Sequence, residues 1–197
     1  MNYKIAVLTS ALSRGSNLVA IYNWFKEKGL PVVIDFVVVT HRKAPVIERC
    51  EGFGLEHIFI STKEMNEFES KLLSLVTERE IDLIVLAGFL KQLSAELLNK
   101  LPCPVLNIHP ALLPKYGGKG MYGSKVHEAV FNSKDSESGA TVHYVNEHYD
   151  EGHIVSQKRV GIEDCKSAEE IAQKVLKIEH QTYAPAIWEV LQKTRNR

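Results

Sequence analysis

Short, continuous apolar runs alternate with amphipathic segments through the first half of the chain. The apolar runs suit strands that are buried on both faces of a parallel sheet, and they lie at Lys4–Thr9, Val32–Val39, His57–Ile60, Ile81–Leu86 and Val105–His109. The amphipathic segments predict helices, at Leu18–Lys28, Lys43–Gly52, Glu64–Arg79 and Ser94–Lys100. In the third of these helices we expect Phe68, Leu72 and Leu75 to face inward. This alternation predicts an α/β fold with a mostly parallel, Rossmann-like sheet in its N-terminal half.

The second half of the chain has a different pattern. A helix is predicted over Ser124–Asn132, and apolar and polar residues alternate over Ser138–Val145, as in a strand with two unlike faces. The polar turn Asn146–Gly152 then leads into His153–Val160, so these two strands are expected to form an antiparallel hairpin. Ser167 is followed three residues later by Glu, which predicts a capping box at the start of a long terminal helix.

Composition is that of an ordinary globular protein. The 197 residues are 45% hydrophobic and 24% charged, with 24 basic and 24 acidic residues, so no overall charge favours a nucleic-acid partner. We find no repeat, linker or low-complexity segment, and therefore expect a single domain over residues 1–197, with halves 1–100 and 101–197.

Cysteine and histidine spacing argues against a metal centre. Cys50, Cys103 and Cys165 are odd in number and far apart, and the eight histidines show no HxxxH spacing. The chain opens without a signal-peptide pattern and has no apolar run near the ~20 residues that span a bilayer. These features predict a cytoplasmic protein in a reducing compartment, without a metal or a membrane segment.

The strand Val105–His109 ends in two polar side chains that share one face, Asn107 and His109. Pro110 has no N–H for a sheet ladder and ends the strand there. Ligands of open α/β sheets bind at this carboxyl edge. An amide can donate to a developing oxyanion and an imidazole can transfer a proton near neutral pH, so the pair is a candidate catalytic site. Taken alone, the two residues fit better as a capping Asn and a hydrogen-bonded His at a strand end.

A second candidate site lies where the first strand leads into the first helix. Gly15, Ser16 and Asn17 stand at the helix start, where free N–H groups and the positive helix end suit a phosphate; Ser or Asn could equally be a simple N-cap. Gly88 follows another buried strand and would allow close approach of a ligand to the backbone. No GxGxxG follows the first strand, which argues against a dinucleotide dehydrogenase.

The chain resembles the glycinamide ribonucleotide formyltransferases, folate-dependent enzymes of purine biosynthesis, over nearly its whole length. The most specific match is Asn107–Tyr116, which reads NIHPALLPKY. Supporting segments are Gly15–Leu18, Leu86–Phe89, Gly139–His143 and the turn that contains Asp150 and Gly152. The length also resembles this subgroup, since relatives that formylate initiator tRNA or hydrolyse formylfolate usually carry a further domain.

The resemblance implies transfer of a formyl group from 10-formyltetrahydrofolate, a co-substrate, to the amine of 5′-phosphoribosylglycinamide. By similarity, protonated His109 stabilises the oxyanion and acts as general acid, and Asn107 donates to the same oxygen. Asp150 pairs with His109, raises its pKa and relays protons through water. Thr141 and His143 lie nearby and order that water; on composition alone, they are polar residues of a half-exposed strand.

The resemblance also assigns binding residues. The phosphate would bind Gly15, Ser16 and Asn17, the ribose Glu179, and the glycinamide would lie near Gly88. Folate would lie against the backbone of Leu90, Lys91, Gln92 and Leu93, near Asn107 and the turn Val145–Asp150. The implied partners are these small molecules, with no nucleic acid or membrane, and the protein would be a monomer or homodimer.

The phosphate loop departs from the family. In the family this loop usually reads Ser-Gly-x-Gly-Ser-Asn. The corresponding segment of this chain, Ser10–Asn17, is longer and lacks the first glycine. The altered loop leaves open formyl transfer to another amine, such as a nucleotide-linked amino sugar. Hydrolysis of formylfolate by the same residues is a second alternative, although retention of Gly15, Ser16, Asn17 and Glu179 favours a phosphoribosyl acceptor over water. A non-catalytic nucleotide-binding module is disfavoured because Asn107, His109 and Asp150 occur together.

Overall fold

A computed structural model describes residues 2–195 of the chain, so residues 1, 196 and 197 of the expected domain lie outside the described part. The strands are β1 (Tyr3–Thr9), β2 (Val32–Val39), β3 (His57–Phe59), β4 (Leu83–Leu86), β5 (Val105–His109), β6 (Glu137–Tyr144) and β7 (Ile154–Gly161). The helices are α1 (Ser16–Lys28), α2 (Val46–Phe53), α3 (Met65–Glu78), α4 (Ala95–Lys100), α5 (Ser124–Ser133) and α6 (Ala168–Arg195). Each predicted element is present, with bounds shifted by a few residues.

The strands form one sheet in the order β3-β2-β1-β4-β5-β6-β7. Strands β1 to β5 pair in parallel, whereas β6 pairs antiparallel with both β5 and β7. The predicted mixed sheet with its antiparallel hairpin is therefore confirmed. The strand order reverses between β1 and β4, and the carboxyl ends there diverge into a crevice that can hold a ligand.

Helices cover both faces of the sheet, which explains the apolar runs of its strands. Alternate residues of β1 belong to opposite cores: Ile5 and Val7 pack with α1, α2 and α6, whereas Ala6 and Leu8 pack with α3 and α4. Helix α5 packs on α6 through a smaller cluster that includes Val130 and Val175. The central strands β1 and β4 are thus shielded from water on both sides, whereas the start of β2 and the edge strand β3 stay partly exposed.

The inward-facing residues predicted for α3 are confirmed: Phe68 and Leu72 are fully buried, and Leu75 is partly buried against the same core, beside the fully buried Val76. One burial prediction was wrong. Strand β6 does not have one exposed face, because Thr141 and His143 are only 0% and 2% exposed. The segment after Pro110 covers this face: Thr141 Oγ1 donates to the Ala111 carbonyl at 2.7 Å.

The predicted cap of the terminal helix is present in altered form. Ser167 Oγ accepts from the Glu170 N–H at 3.3 Å, as a capping box requires. The Glu170 carboxylate accepts from the N–H of Lys166 at 2.7 Å, one residue before the expected partner. Among the helices described between residues 2 and 195, none is both long and apolar enough to cross a membrane.

Candidate active site

A cavity of about 590 Å³ opens at the carboxyl ends of β4 and β5. Its walls come from the segment after β4, the end of β5, the glycine-rich segment before α5, and the turn between β6 and β7. Asn17 of α1 and Glu179 of α6 complete the lining. Both the volume and the position at the sheet edge are typical of a small-molecule site.

Tyr183 of α6 connects the ends of β4 and β5 through hydrogen bonds to their backbone. This buried phenol lies 2.9 Å from the Leu86 carbonyl oxygen and 3.0 Å from the Leu106 carbonyl oxygen, and donates to both. Leu86 directly precedes the turn that contains Gly88, and Leu106 directly precedes Asn107. The bond therefore fixes the distance between the two strand ends that carry candidate site residues.

His109 at the end of β5 is almost fully buried, at 3% exposure. Its Nε2 lies 2.8 Å from the Tyr116 carbonyl oxygen, and its Nδ1 lies 3.4 Å from Asp150 Oδ2. Because a carbonyl oxygen can only accept, Nε2 carries a hydrogen in every protonation state that keeps this bond. Nδ1 is then the nitrogen that gains or loses the proton.

The prediction that Asp150 raises the His109 pKa above its free value was wrong in its net effect. Burial lowers the pKa of His109 below its ordinary value of 6.5, and the nearby His143 lowers it further. The Asp150 carboxylate and the Tyr116 carbonyl raise the pKa, but by less than burial lowers it. His109 is consequently neutral at rest near pH 7.

Asp150 is held beside His109 by a tight turn. Its backbone has a φ of 59°, and Oδ2 accepts from the Gly118 N–H at 3.0 Å. A Cβ on Gly152 would lie 1.7 Å from the Tyr144 carbonyl oxygen, so the turn requires glycine there. Burial raises the pKa of Asp150, but His143, His109 and the Gly118 N–H together lower it below its ordinary value. The carboxylate is therefore charged at neutral pH.

Asn107 is oriented by His143 on the neighbouring strand. His143 Nδ1 lies 2.9 Å from the Tyr144 carbonyl oxygen and must donate to it, so Nε2 is an acceptor whenever the ring is neutral. The same Nε2 lies 3.6 Å from Asp150 Oδ1, to which a protonated ring would donate. Asn107 Nδ2 lies 3.2 Å from that Nε2 and donates one of its two hydrogens. The second amide hydrogen of Asn107 is left for a ligand.

The expectation that Thr141 orders a catalytic water is wrong. Its hydroxyl donates to Ala111 and accepts from the Leu113 N–H at 3.1 Å and from Gln157 Nε2 at 2.9 Å. A hydroxyl has one hydrogen and two lone pairs, so its bonding capacity is used. Thr141 instead secures the segment that follows His109.

Asn17 and Glu179, two residues predicted to bind the substrate that accepts the formyl group, form a hydrogen-bonded pair in the cavity wall. Asn17 Nδ2 donates to Glu179 Oε2 at 2.6 Å. Burial raises the pKa of Glu179 from 4.5 to about 7, with the Asn17 bond acting against it. Asn17 Oδ1 is buried without a hydrogen-bond partner. Gly88, with a φ of 77°, lines the same cavity.

Gly15 and Ser16 are absent from the cavity lining, unlike the other predicted binding residues. Gly15 begins α1 with a φ of 75°, and its N–H donates to Ser13 Oγ at 3.3 Å. Gly15 is also sterically required, since a Cβ there would lie 2.7 Å from Val46 Cγ2. No side chain caps α1, which leaves the N–H groups after Gly15 available to an anion.

The predicted folate residues all line the cavity, namely Leu90, Lys91, Gln92 and Leu93. Gln92 Nε2 donates to the carbonyl oxygen of Glu147 at 2.8 Å. This bond ties the segment after β4 to the turn after β6. The two predicted walls of the folate site therefore hold each other in place.

Sequence reasoning missed His127 of α5, which also lines the cavity. It is 8% exposed, its Nδ1 has no hydrogen-bond partner, and burial together with His109 lowers its pKa. A single histidine in an amphipathic helix gives no sequence pattern that would reveal this position. Within residues 2–195, no group of three or more His, Cys, Asp or Glu side chains is arranged to hold a metal ion.

Known proteins resemble this chain in both sequence and structure. The model of the formyl transferase family matches residues 3–187. A chloroplastic phosphoribosylglycinamide formyltransferase of Vigna unguiculata is 36% identical over 93% of this chain. The phosphoribosylglycinamide formyltransferase of Bacillus subtilis is 32% identical, over 95% of this chain and 94% of that protein. The crystal structure of glycinamide ribonucleotide transformylase 1 from Geobacillus kaustophilus superposes with a TM-score of 0.86, at 30% identity, over 97% of this chain and 100% of that one.

The matches also differ in length. This chain spans 40% and 59% of the lengths of the two plant relatives that it matches. The family model nevertheless covers nearly the whole chain, including the cavity residues from Asn17 to Glu179. The chain therefore belongs to the formyl transferase family.

Proposed function

We propose that this protein transfers the formyl group of 10-formyltetrahydrofolate to the amine of 5′-phosphoribosylglycinamide. The products are formylglycinamide ribonucleotide and tetrahydrofolate, and the step belongs to de novo purine biosynthesis. One observation carries the proposal: a single cavity is lined by Asn107, His109 and Asp150, by the expected acceptor residues Asn17 and Glu179, and by the expected folate segment. The names of the relatives support the same acceptor.

The substrate amine is itself the nucleophile, so the chain needs no serine or cysteine nucleophile. The amine nitrogen attacks the formyl carbon, a new C–N bond forms, and the carbonyl oxygen becomes an oxyanion. The bond from carbon to N10 of the folate then breaks. The amine releases one proton and N10 gains one, so the protein must align two substrates, stabilise the oxyanion and move that proton.

His109 and Asp150 carry the proton in this proposal. Because burial holds the His109 pKa low, the ring begins neutral with Nδ1 facing the Asp150 carboxylate at 3.4 Å. The attacking amine gives its proton to this pair, and the resulting imidazolium lies beside the oxyanion. A low pKa makes that cation a good acid for N10 as the tetrahedral intermediate collapses.

Asn107 is the second oxyanion group. His143 Nε2 accepts a hydrogen bond from one amide hydrogen of Asn107 at 3.2 Å. The other amide hydrogen is then already directed at the oxyanion, without further reorganisation of the side chain. A preorganised donor of this kind typically contributes about 10²–10³ in rate. His143 acts through Asn107 and is a positioning residue.

The acceptor is bound in the proposal by the start of α1 and by Glu179. The uncapped N–H groups after Gly15, with Ser16 and Asn17, take the phosphate. Glu179 accepts from the ribose hydroxyls, and Gly88 leaves room for the glycinamide. Folate lies along Leu90–Leu93, against the turn that Gln92 holds.

We further propose that the protein acts as one domain in the cytoplasm, as a monomer or homodimer. Its three cysteines are free thiols, which suits a reducing compartment.

Purified protein is incubated with 10-formyltetrahydrofolate alone, with phosphoribosylglycinamide, and with a nucleotide-linked amino sugar. We expect tetrahydrofolate only with phosphoribosylglycinamide, in equal amount to the formylated product. Release without any acceptor would instead identify a formylfolate hydrolase. Release with the amino sugar alone would identify a different acceptor.

A further inference from the structure

Tyr116 links the active site to a polar cluster on the far side of the segment that follows β5. On one side its carbonyl oxygen accepts from His109 Nε2 at 2.8 Å. On the other side its phenol donates to Asp135 Oδ2 at 2.6 Å and contacts Ser133 Oγ. One residue thus joins the candidate proton carrier to the turn between α5 and β6.

The backbone of Tyr116 needs an external hold. Its φ of 63° is in the left-handed region, which a bulky residue adopts rarely. Gly117 and Gly118 follow directly and restrain the chain only through their N–H groups, which donate to the Pro114 carbonyl at 3.3 Å and to Asp150 Oδ2 at 3.0 Å. The phenol bond to Asp135 is a contact made by the Tyr116 side chain itself that adds to this restraint on the direction of the carbonyl.

Asp135 is the centre of this anchor. Both of its carboxylate oxygens accept from Lys115 Nζ, at 2.8 and 2.7 Å, while Oδ2 also accepts from Tyr116. Lys115 Nζ lies 5.0 Å from the centre of the Tyr116 ring. The lysine side chain is 60% exposed whereas that of Asp135 is 25% exposed, so water weakens the ion pair more than the hydrogen bond to the phenol.

We propose that the Tyr116 phenol and Asp135 are positioning groups that hold His109 in its Nε2–H form through the Tyr116 carbonyl. The ionisable groups that face the His109 ring are Asp150 on one side and His143 and His127 on others. The Asp150 carboxylate also only accepts, but it faces Nδ1 and favours a hydrogen there, so the Tyr116 carbonyl is the group that holds the hydrogen on Nε2. Without the anchor the ring gains its alternative tautomer, and Nδ1 is no longer free to take the proton.

The test uses the full-length variants Tyr116→Phe, Asp135→Ala and Asp135→Asn. Nitrogen-15 NMR of the histidine rings, above the His109 titration, reports which nitrogen carries the hydrogen. We expect the Nδ1–H form of His109 to increase in Tyr116→Phe and Asp135→Ala. We also expect kcat to fall about three- to tenfold, the factor for one net hydrogen bond, with both KM values within about twofold.

Three further variants distinguish a loss of His109 positioning from a general loss of structure. Asp135→Asn keeps an acceptor for the phenol and should retain most of the activity. The double variant Tyr116→Phe/Asp135→Ala should be no worse than Tyr116→Phe, because both changes break one link. Tyr22→Phe is the matched control, since Tyr22 stacks on Phe53 with Lys26 at 5.6 Å from its ring and lies outside the cavity lining; it should change neither readout.

The proposal rests on the role proposed for His109, but its NMR readout does not. It is overturned if His109 keeps the Nε2–H form in both Tyr116→Phe and Asp135→Ala, whatever their activity. It is equally overturned if the tautomer changes while kcat stays at the wild-type value. If Tyr116→Phe fails to fold, Asp135→Ala decides by the same criteria, and a wild type inactive in formyl transfer contradicts only the proposed function.

Discussion

Replacement of Glu179 by Gln should stabilise the unliganded protein much more at alkaline pH than at acidic pH. Glu179 is 9% exposed and its pKa rises from 4.5 to about 7 on folding. Folding thus favours the protonated acid, and this contribution to stability is complete below pH 4.5 and is lost as pH rises through 7. Gln is neutral at every pH and keeps an oxygen that can accept from Asn17 Nδ2, so it imitates the protonated acid.

The size of the effect follows from the two pKa values. At about 1.4 kcal/mol for each pH unit, the interval from 4.5 to about 7 corresponds to about 3 kcal/mol at pH 8. At pH 5 the same linkage leaves about 1 kcal/mol or less. In a protein of this length 3 kcal/mol raises the melting temperature by roughly 6–12 °C.

The assay is urea unfolding of wild type and variant at pH 5 and pH 8. Glu189→Gln on the same helix is the control, because Glu189 is 49% exposed and should show no pH-dependent difference. An equal stability gain for Glu179→Gln at both pH values would refute the assigned pKa.

The same substitution should raise KM for phosphoribosylglycinamide with little change in KM for the folate, since the carboxylate is proposed to bind the ribose of phosphoribosylglycinamide. A rise in the folate KM alone would contradict the ribose assignment.

Two further substitutions test the oxyanion donor and the turn. Asn107→Ala should lower kcat by about 10²–10³ with KM nearly unchanged in steady-state kinetics, because it removes the oxyanion donor; a loss below tenfold would exclude that role. Gly152→Ala should reduce the free energy of unfolding by about 1–3 kcal/mol and lower kcat, because its Cβ would meet the Tyr144 carbonyl at 1.7 Å and displace Asp150. Urea unfolding and kinetics measure both effects, and wild-type values would show that the turn tolerates a side chain.

Much of the fold could be predicted because its determinants are local. Runs such as Val32–Val39 favour strands of a parallel sheet, and Pro110 cannot extend β5. Asn107 and His109 share a strand face by simple alternation, which is why their proximity followed from the sequence. Asp150 came from the family resemblance, since no local pattern connects a polar turn to a strand forty residues earlier.

The remaining features depend on contacts between distant segments. Thr141 looked like a residue of a half-exposed strand, but the segment after Pro110 covers it and uses its hydroxyl. The sign of the His109 pKa shift depends on burial outweighing one carboxylate, and burial is a property of the assembled fold. The bond from His109 to the Tyr116 carbonyl could not be predicted either, because any residue provides a carbonyl and the direction of this one depends on how the segment after β5 folds.

The most direct test of the catalytic account is titration of His109 in wild type and Asp150→Asn by NMR. The account predicts a His109 pKa below 6.5 in wild type, because burial dominates, and a still lower pKa in the variant, because the charge at 3.4 Å is gone. Formyl transfer should fall sharply in the variant while phosphoribosylglycinamide binding is retained. An unchanged or higher His109 pKa in Asp150→Asn would contradict the pairing on which the proposed proton transfer depends.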